Sequence, residues 1–388
     1  MLEPLCRVTS VRAKMPIALF SPIVAHYRAT LYRELQASNR YEFHFFADLE
    51  GNNNGIPVIV PADQARLHAC KAYRGPFGLV WQARTVGACL GGRFHAIILL
   101  GDVHWLSSWV GAIAARLSGK RVLFWTHGWR RQDQGVLRLI RNTFYHLADV
   151  LLLYGDHARE IGIGQGFAPK ALHVIYNSLD VEQQSRLLSC RMPGASRHLR
   201  ESLFGEPDVP VVLAVSRLTA EKRFDLLVRA IGEVNRRHRK VNLLVVGDGP
   251  ERKSLEALAT DESVPTKFVG SCYEESRMSS LFTCASVTVS PGNVGLTCMH
   301  SLGYGVPVIS HDDASAQNPE WEAIVPGVSG ALFPKGSVAG LVAAIEEWTR
   351  TAEVPSLVAE RCRSIVLNKY YPARQCQAIE AALDQVLA

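Results

Sequence analysis

Short apolar runs alternate along this chain with longer segments in which apolar residues recur every three or four positions. Runs that are apolar at nearly every position are typical of strands buried on both faces of a parallel sheet, whereas the longer spacing is typical of helices. Two helices in the first half are predicted by this spacing, at Tyr27, Leu31 and Leu35 and at Trp109, Ile113 and Leu117. Six strands are predicted there: Met15–Ser21, Tyr41–Ala47, His95–Leu100, Arg121–Thr126, Asp149–Tyr154 and Leu172–Tyr176.

The second half repeats this alternation. Phe224, Leu227 and Ile231 fall on one face of a helix that follows the first of its strands. The predicted strands are Val209–Ser216, Val241–Gly247, Lys267–Gly270, Ser286–Ser290 and Val306–Ser310. Buried strands that alternate with amphipathic helices predict an α/β protein of two doubly wound, Rossmann-like domains.

The polar stretch near residues 183–208 contains Pro and Gly and is the predicted join between the two domains. The first domain is therefore expected over residues 1–185 and the second over 205–370. Residues 371–388 are expected to form a last helix that packs back toward the first domain. Ligands of open parallel sheets bind at the carboxyl ends of the strands, so two facing sheets predict a cleft between the domains.

Length and composition narrow the class of protein. A chain of 388 residues is too long for one ordinary core, and 48% hydrophobic with 20% charged residues excludes a disordered or collagen-like chain. The nine cysteines are scattered without a CxxC pair, so we expect neither a disulfide framework nor a cysteine zinc site. No apolar run approaches the length of about 20 residues that spans a bilayer, and no secretory signal is expected at the start.

The charge is uneven between the two halves. Residues 1–180 hold 20 Lys and Arg against 12 Asp and Glu, a net +8, whereas the remainder holds 22 against 24, a net −2. A basic half implies an anionic partner, such as a phosphate-bearing ligand or an acidic membrane surface, unless it is only a solvated face. Nucleic acid is not expected as a partner, because the basic residues are dispersed and follow no known motif.

The strongest motif is a buried strand ending at Ser216 that leads into a helix expected to begin near Thr219. Arg217 follows the strand, and Lys222 is expected in the first turn of the helix. Two cations beside free helix N–H groups predict a site for a diphosphate. The alternative, in which Arg217 pairs with a carboxylate and Lys222 is solvated, stays open from the residues alone.

A second strand-to-helix segment spans residues 286–310. Asn293 is expected to cap this helix, and the amides of Gly295, Leu296 and Thr297 are expected to point toward an anion. His300 follows nearly two turns later. Tight packing of helix on strand would explain the glycines equally well.

Taken in order, these segments resemble a glycosyltransferase of the GT-B fold, family 4 (group 1) type. The resemblance covers most of the second half and two pieces of the first. The matching pieces are AVSRLTAEKR, LLVVGDGPE, TKFVGS, VSPGNVGLTCMHSLGYGVPVIS and PEWEAIVPGVSGALF, with RVLFWTHGW and LHVIYNSLD in the first half.

The resemblance implies a role for each matching position. Arg217 and Lys222 would hold the diphosphate of a nucleotide-sugar donor, and the backbone around Val269 and Gly270 would line the base pocket. His127 matches a family histidine that faces the donor sugar. The amides of Gly295, Leu296 and Thr297 would hold the distal phosphate.

The chain also departs from the family pattern. Two glutamates usually stand eight positions apart in the second segment, and Gly292 and His300 occupy those places here. The resemblance leaves His300 to contact the ribose and Asn293, or backbone groups, to contact the donor sugar. Arg223 stands where a glycine commonly follows the lysine.

The function implied is a retaining transfer of a sugar from a nucleotide-diphosphate sugar to a saccharide or lipid-linked acceptor, in cell-envelope polysaccharide or glycolipid synthesis. No cofactor and no metal are expected. Two alternatives are a degenerate GT-B subunit that binds nucleotide-sugar or a partner without catalysis, and a nucleotide-sugar epimerase. The missing carboxylate at Gly292 favours the degenerate subunit, whereas no set of acid and base residues for an epimerase is recognised.

The acceptor is expected on the basic first domain. Its contacts are expected among Tyr27, Arg28, Arg74, Arg130 and Arg131. A lipid-linked acceptor at an anionic membrane would fit the charge of this domain. The expected location is the cytoplasm, with the inner face of the cell membrane as a place of peripheral contact.

Overall fold

The computed structural model describes residues 13–50, 66–237 and 240–388. Seven parallel strands of the first half form one sheet in the order β3-β2-β1-β6-β7-β8-β9, and β4 and β5 form a separate antiparallel hairpin. In chain order these strands are β1 (Met15–Ile23), β2 (Tyr41–Asp48), β3 (Leu67–Ala69), β4 (Ala72–Arg74), β5 (Val80–Gln82), β6 (Ala96–Leu100), β7 (Arg121–Thr126), β8 (Val150–Leu153) and β9 (Leu172–Val174).

The second half forms a six-stranded sheet whose described strand pairs are all parallel. Its order is β12-β11-β10-β13-β14-β15. The strands are β10 (Val211–Val215), β11 (Asn242–Val246), β12 (Thr266–Phe268), β13 (Val287–Ser290), β14 (Val308–His311) and β15 (Gly330–Phe333). In each sheet the order reverses beside the first strand, which is the pattern of a doubly wound fold.

Helices connect the strands and cover both sheets. Those of the first half are α1 (Ala29–Ala37), α2 (Thr85–Leu90), α3 (Leu106–Leu117), α4 (Gly135–Tyr145), α5 (Asp156–Gly164) and α6 (Val181–Ser189). Those that follow are α7 (Ala195–Phe204), α8 (Phe224–Arg236), α9 (Arg252–Asp261), α10 (Glu275–Thr283), α11 (Leu296–Gly303), α12 (Val338–Trp348), α13 (Ser356–Lys369) and α14 (Pro372–Leu387).

All eleven predicted strands are present, within one or two residues at most ends. The described strands that the pattern missed are β3, the β4–β5 hairpin and β15. β3 and the hairpin strands are three residues long and partly exposed, so they carry no buried apolar run. β15 contains four residues and begins at Gly330, which has a φ of +153° and where a Cβ would lie 1.7 Å from the carbonyl oxygen of Val308.

The two faces of the first sheet are covered differently. Leu31 and Leu35 of α1 share one core with Ile379 and Leu383 of α14. The opposite face packs against α3 and α4 through small side chains and aromatic rings, such as Ala112 and Phe144. The last helix of the chain thus completes the hydrophobic core of the first domain.

Helix α3 contains the predicted positions Trp109, Ile113 and Leu117, yet Ile113 and Leu117 lie on its outer side. Ile113 and Leu117 are exposed, whereas Gly111, Ala112 and Ala115 face the sheet. A side chain larger than hydrogen at Gly111 would meet Thr85 at 2.8 Å, so this close packing admits only small residues.

Candidate functional site

A cavity of about 790 Å³ opens at the carboxyl ends of strands β1, β6 and β7. Its lining comes almost entirely from the first domain, and Ser315 is the residue that the second domain contributes. The carboxyl ends of parallel strands meet at one edge of a sheet, which is why segments distant in sequence converge here. All of the residues predicted for the acceptor line this cavity: Tyr27, Arg28, Arg74, Arg130 and Arg131.

His127 follows the last residue of β7 and lines the same cavity. Its ring packs 4.7 Å from the ring of Tyr154. His127 keeps contact with solvent, yet desolvation by the protein groups packed around it, and then the positive charges of Arg130 and Arg28, lower its pKa to about 4. The imidazole is therefore neutral at physiological pH and can both donate and accept a hydrogen bond.

Arg28 lines the cavity, and its guanidinium packs over aromatic rings. Its guanidinium carbon lies 5.2 Å from the ring centre of Trp125 and 5.8 Å from those of Tyr27 and Tyr154, and it donates a hydrogen bond of 2.5 Å to the Tyr154 hydroxyl. Although burial opposes the charged form, the surrounding tyrosines raise the pKa of Arg28. The Nε of Arg28 is buried and has no hydrogen-bond partner among the described residues.

Further arginines surround the cavity and differ in how they are held. Arg141 pairs with Asp133 and donates to the carbonyl of Gly128, whereas Arg130 donates to Asn318 of the second domain at 3.2 Å. Arg131 is exposed at the edge. The cavity therefore combines fixed cations at its floor with solvated ones at its mouth, an arrangement suited to an anionic ligand.

The donor residues predicted in the second domain surround one strand-to-helix turn. Arg217 follows β10 and is exposed, with no ion pair or hydrogen bond to its side chain in the described ranges. Within these ranges, therefore, Arg217 does not pair with a carboxylate, which was the alternative interpretation of this residue. The prediction that Lys222 lies in the first turn of the following helix is wrong. Lys222 ends a 3-10 turn, and α8 begins after it, at Phe224.

Arg223 separates that turn from α8 and has a φ of +53°. A left-handed residue at this place explains why glycine is common there in the family. Arg223 tolerates the conformation while its side chain pairs with Asp225 at 3.1 Å.

Lys222 reaches across to the segment after β13. Its Nζ donates to the carbonyl of Asn293 at 3.1 Å and to its Oδ1 at 2.5 Å, and burial lowers the pKa of Lys222. The prediction that Asn293 caps the following helix is wrong, because Gly295 precedes α11 and the Asn293 side chain is engaged by Lys222.

The close approach of these two segments also explains Gly292. A Cβ at this position would lie 2.2 Å from the carbonyl oxygen of Glu221 and 2.8 Å from the Cα of Lys222. The amide of Gly292 in turn donates to the carbonyl of Lys222 at 3.1 Å. The backbone around Lys222 thus occupies the space that a glutamate side chain would enter.

The first turn of α11 is formed by Leu296 and Thr297, with Gly295 before it. Amides in a first turn have no carbonyl partner within their helix, so they face outward as donors. Thr297 anchors the turn by donating its hydroxyl proton to the carbonyl of Val215 at 2.9 Å. His300 lies one turn farther, 5.9 Å from the ring of Phe282, and burial lowers its pKa.

Val269 and Gly270 directly follow β12, the strand that pairs with β11 at the edge of the second sheet. The amide of Val269 donates to Val245, and Gly247 donates to the carbonyl of Gly270 at 2.8 Å. Gly270 has a φ of +74°, which turns the chain sharply after β12. The predicted donor residues therefore lie at the carboxyl edge of the second sheet and its loops, whereas His127 lies in the cavity of the first domain.

Sequence reasoning missed the two carboxylates of the PEWEA segment. Glu320 is buried and accepts a hydrogen bond from Asn177 at 2.9 Å, and burial raises the pKa of Glu320. Glu322 accepts from the amides of Asp156 and His157, at 2.8 and 3.0 Å, at the start of α5. Both join the two domains, and the match of this segment to the family was the signal that could have identified them.

Neither a metal-binding cluster nor a membrane-spanning helix is found in the described ranges. No group of three or more His, Cys, Asp or Glu side chains there is arranged to hold a metal ion. Nor is any helix in those ranges both long and apolar enough to cross a bilayer. The expectation of a reaction without metal stays a prediction.

Comparison with known proteins gives three main similarities. Residues 196–363 match the family of glycosyl transferases, group 1. A GDP-mannose-dependent alpha-(1-6)-phosphatidylinositol monomannoside mannosyltransferase of Mycolicibacterium smegmatis is 26% identical over 61% of this chain, which spans 63% of that relative's length. A lipopolysaccharide core biosynthesis glycosyltransferase, LpsE, of Rhizobium meliloti is 23% identical over 67% of this chain and 87% of its own.

The fold has close counterparts among solved structures. The Alr3699/HepE protein of Anabaena, in complex with UDP-glucose, superposes with a TM-score of 0.67 at 18% identity, covering 96% of this chain and all of that one. Residues 196–363 thus match the group 1 glycosyl transferases, and the two doubly wound sheets give the chain the GT-B fold of its structural neighbours.

Proposed function

We propose that this protein transfers a sugar, with retention of anomeric configuration, from a nucleoside-diphosphate sugar to a phosphate-bearing or lipid-linked saccharide acceptor. The observation that carries the proposal is the meeting of Arg217, Lys222 and the first turn of α11 at one edge of the second sheet. Cations and free amides at one place stabilise the negative charge that develops on a leaving diphosphate. This arrangement can act without a metal ion.

In this proposal His127 acts on the donor sugar as a neutral group. The sugar carbon becomes positively charged as its bond to the diphosphate breaks. An imidazole with a pKa of about 4 adds no positive charge beside that carbon, yet it can hydrogen-bond a sugar hydroxyl. The retaining course itself is taken from the family resemblance.

The basic cavity beside His127 is proposed to bind the acceptor. The guanidinium of Arg28 lines this cavity, and Arg131 is solvated at its edge. The two relatives named above act, by their descriptions, on a phosphatidylinositol mannoside and on a lipopolysaccharide core. A phosphate-bearing acceptor in cell-envelope glycolipid or polysaccharide synthesis, at the cytoplasmic face of a membrane, follows as our proposal.

Release of nucleoside diphosphate from UDP-, GDP- and dTDP-sugars tests the proposal, with and without a polyprenyl-diphosphate-linked sugar as acceptor. We expect one donor to be consumed faster when acceptor is present, and Arg131→Ala to raise the KM for acceptor more than it lowers kcat. Glu347→Ala, an exposed change on α12, serves as the control.

One observation favours a second candidate, a subunit that binds donor without transferring it. Gly292 provides no side chain where the family usually has a carboxylate. Tight binding of a nucleotide-sugar with no turnover for any acceptor would support this candidate and contradict the enzyme.

A further inference from the structure

Helix α3 presents a continuous apolar stripe to solvent. Leu106, Val110, Ile113 and Leu117 recur at steps of three and four residues and are all exposed, with Leu117 at 83%. A surface helix normally turns such a stripe toward the core. Here the core side holds small residues, so the stripe is available to a partner.

Helix α4 extends the apolar surface. In its first two turns Val136 is 70% and Leu139 is 67% exposed, and Arg138 lies between them in sequence. Its buried residues, Phe144 and Tyr145, come only at its end. The beginning of α4 thus stands out from the domain with aliphatic side chains uncovered.

The two helices lie side by side on the same face of the first sheet. The rings of Trp109 and Phe144 are 4.7 Å apart, and Arg116 donates to the carbonyl of Leu147 at 3.2 Å. The β4–β5 hairpin joins the same layer, because Val80 donates to the carbonyl of His104 at 2.9 Å. Phe77, at the tip of the hairpin, is 91% exposed.

We propose that this surface seats the protein on a bilayer of anionic lipid. We define the docking surface as Leu106, Val110, Ile113 and Leu117 of α3 with Val136 and Leu139 of α4. Aliphatic residues enter the boundary between headgroups and acyl chains, while basic residues beside them contact the headgroups.

The charge around the docking surface favours a membrane over a second copy of the chain. Residues 71–147 contain eleven Lys and Arg against two Asp, a net +9. Anionic lipid is attracted to such a surface, whereas a second copy would bring the same positive charge against it. The pairing of Arg116 and Arg121 with Asp149 compensates only part of this charge.

The docking surface borders the mouth of the cavity in the first domain. Arg74 of the hairpin, Trp105 before α3 and Leu137 of α4 all line that cavity. A docked molecule would therefore open its cavity toward the headgroups, where a lipid-linked acceptor carries its phosphate. This last step rests on the proposed function; membrane binding does not.

The test is binding of the full chain to vesicles of phosphatidylcholine alone and of equal parts phosphatidylcholine and phosphatidylglycerol. We expect binding to the anionic vesicles, weakened by salt. Leu117→Ser with Leu139→Ser should weaken it at least about tenfold, and Arg138→Gln about fivefold. The matched controls in the second domain are Leu357→Ser with Leu367→Ser, both half-exposed, and Arg361→Gln, and they should change nothing.

Equal binding to both vesicle types, no binding to either, or equal losses in the control variants would overturn the proposal. A dimer that the Leu117→Ser, Leu139→Ser protein loses in sedimentation would assign the face to a second copy instead. Release of nucleoside diphosphate from soluble donor should be unchanged in that variant. If the wild-type protein binds anionic vesicles but turns over no donor, the docking surface stands and the proposed function fails.

Discussion

The ammonium of Lys222 links two loops at the carboxyl edge of the second sheet. It joins the turn before α8 to Asn293, and its partial burial lowers its pKa. Replacing Lys222 with Ala removes both this link and a cation that we propose to lie beside the leaving diphosphate. We expect turnover to fall by about 100-fold, comparable to the loss of one donor to a developing oxyanion.

The control for that experiment is Arg229→Ala, an exposed cation on α8. Steady-state release of nucleoside diphosphate measures both variants. A Lys222→Ala enzyme that keeps the turnover of the Arg229→Ala enzyme would remove Lys222 from the mechanism.

Gly292 is fixed by the backbone of the neighbouring turn. A Cβ there would overlap the carbonyl oxygen of Glu221, so Gly292→Ala should displace Lys222 and cost about 1–3 kcal/mol of stability. Gly87→Ala, in helix α2 with open space around its Cβ, is the matched control and should be neutral or slightly stabilising. Urea denaturation compares them, and equal stability of the two variants would contradict this explanation of the missing glutamate.

The depressed pKa of His127 predicts a pH dependence of stability. Because its pKa is about 4 in the folded protein and about 6.5 when unfolded, the unfolded chain binds more protons between these values. His127 therefore weakens the fold as the pH falls from about 6.5 toward 4. His127→Gln should reduce the slope of unfolding free energy against pH in this window by up to one proton. An unchanged slope would mean that the imidazole ionises normally.

At the scale of elements, Glu322 fastens the start of α5 to the second domain. It accepts from two backbone amides that have no partner within the helix. Glu322→Ala should lower the free energy of unfolding by about 1–3 kcal/mol, since these donors lose their acceptor. Glu322→Gln keeps one acceptor oxygen and should lose less.

The control for this change is Glu347→Ala, an exposed carboxylate on α12. Chemical denaturation measures all three variants. If Glu322→Ala and Glu347→Ala were equally stable, the contact with α5 would contribute nothing to the fold.

The elements also show how far the sequence reaches. Long buried runs such as Arg121–Thr126 identify their strands, because burial on both faces leaves an unbroken apolar pattern. The hairpin with Phe77 at its tip is exposed and leaves none. The apolar spacing in α3 correctly predicts a helix but not its orientation, which depends on the small residues packed against the sheet.

The candidate site likewise contains residues that the sequence predicts and residues that only the fold reveals. Arg217 and Lys222, the residues of the proposed phosphate site, follow from a strand-to-helix motif in a single segment of sequence. The partners that position them, such as Asn293 for Lys222, come from distant segments and required the fold. Glu320 was missed because nothing local in the sequence shows that its carboxylate would be buried against Asn177.

At the scale of the whole molecule, the two halves of the chain divide the charge and the proposed chemistry. The first domain carries the basic cavity. The second carries the proposed donor site, and its net charge is close to zero. Helix α14 returns from the end of the chain to the core of the first domain, and Gln375 in it donates to the carbonyl of Tyr176 at 2.6 Å. This return reinforces the contact at Glu322, because the Tyr176 hydroxyl donates to Asp156, whose amide donates to Glu322.

The central claim is that the second domain holds the diphosphate of a nucleotide-sugar through Arg217 and its neighbours. Calorimetric titration with UDP, GDP and dTDP tests it most directly, with Arg217→Ala and the control Arg229→Ala measured beside the wild-type protein. We predict that one nucleoside diphosphate binds and that Arg217→Ala alone weakens it by about 10- to 100-fold, as expected for a lost charge-assisted contact. Absence of binding by all three, or equal affinity in Arg217→Ala and wild-type protein, would contradict the account.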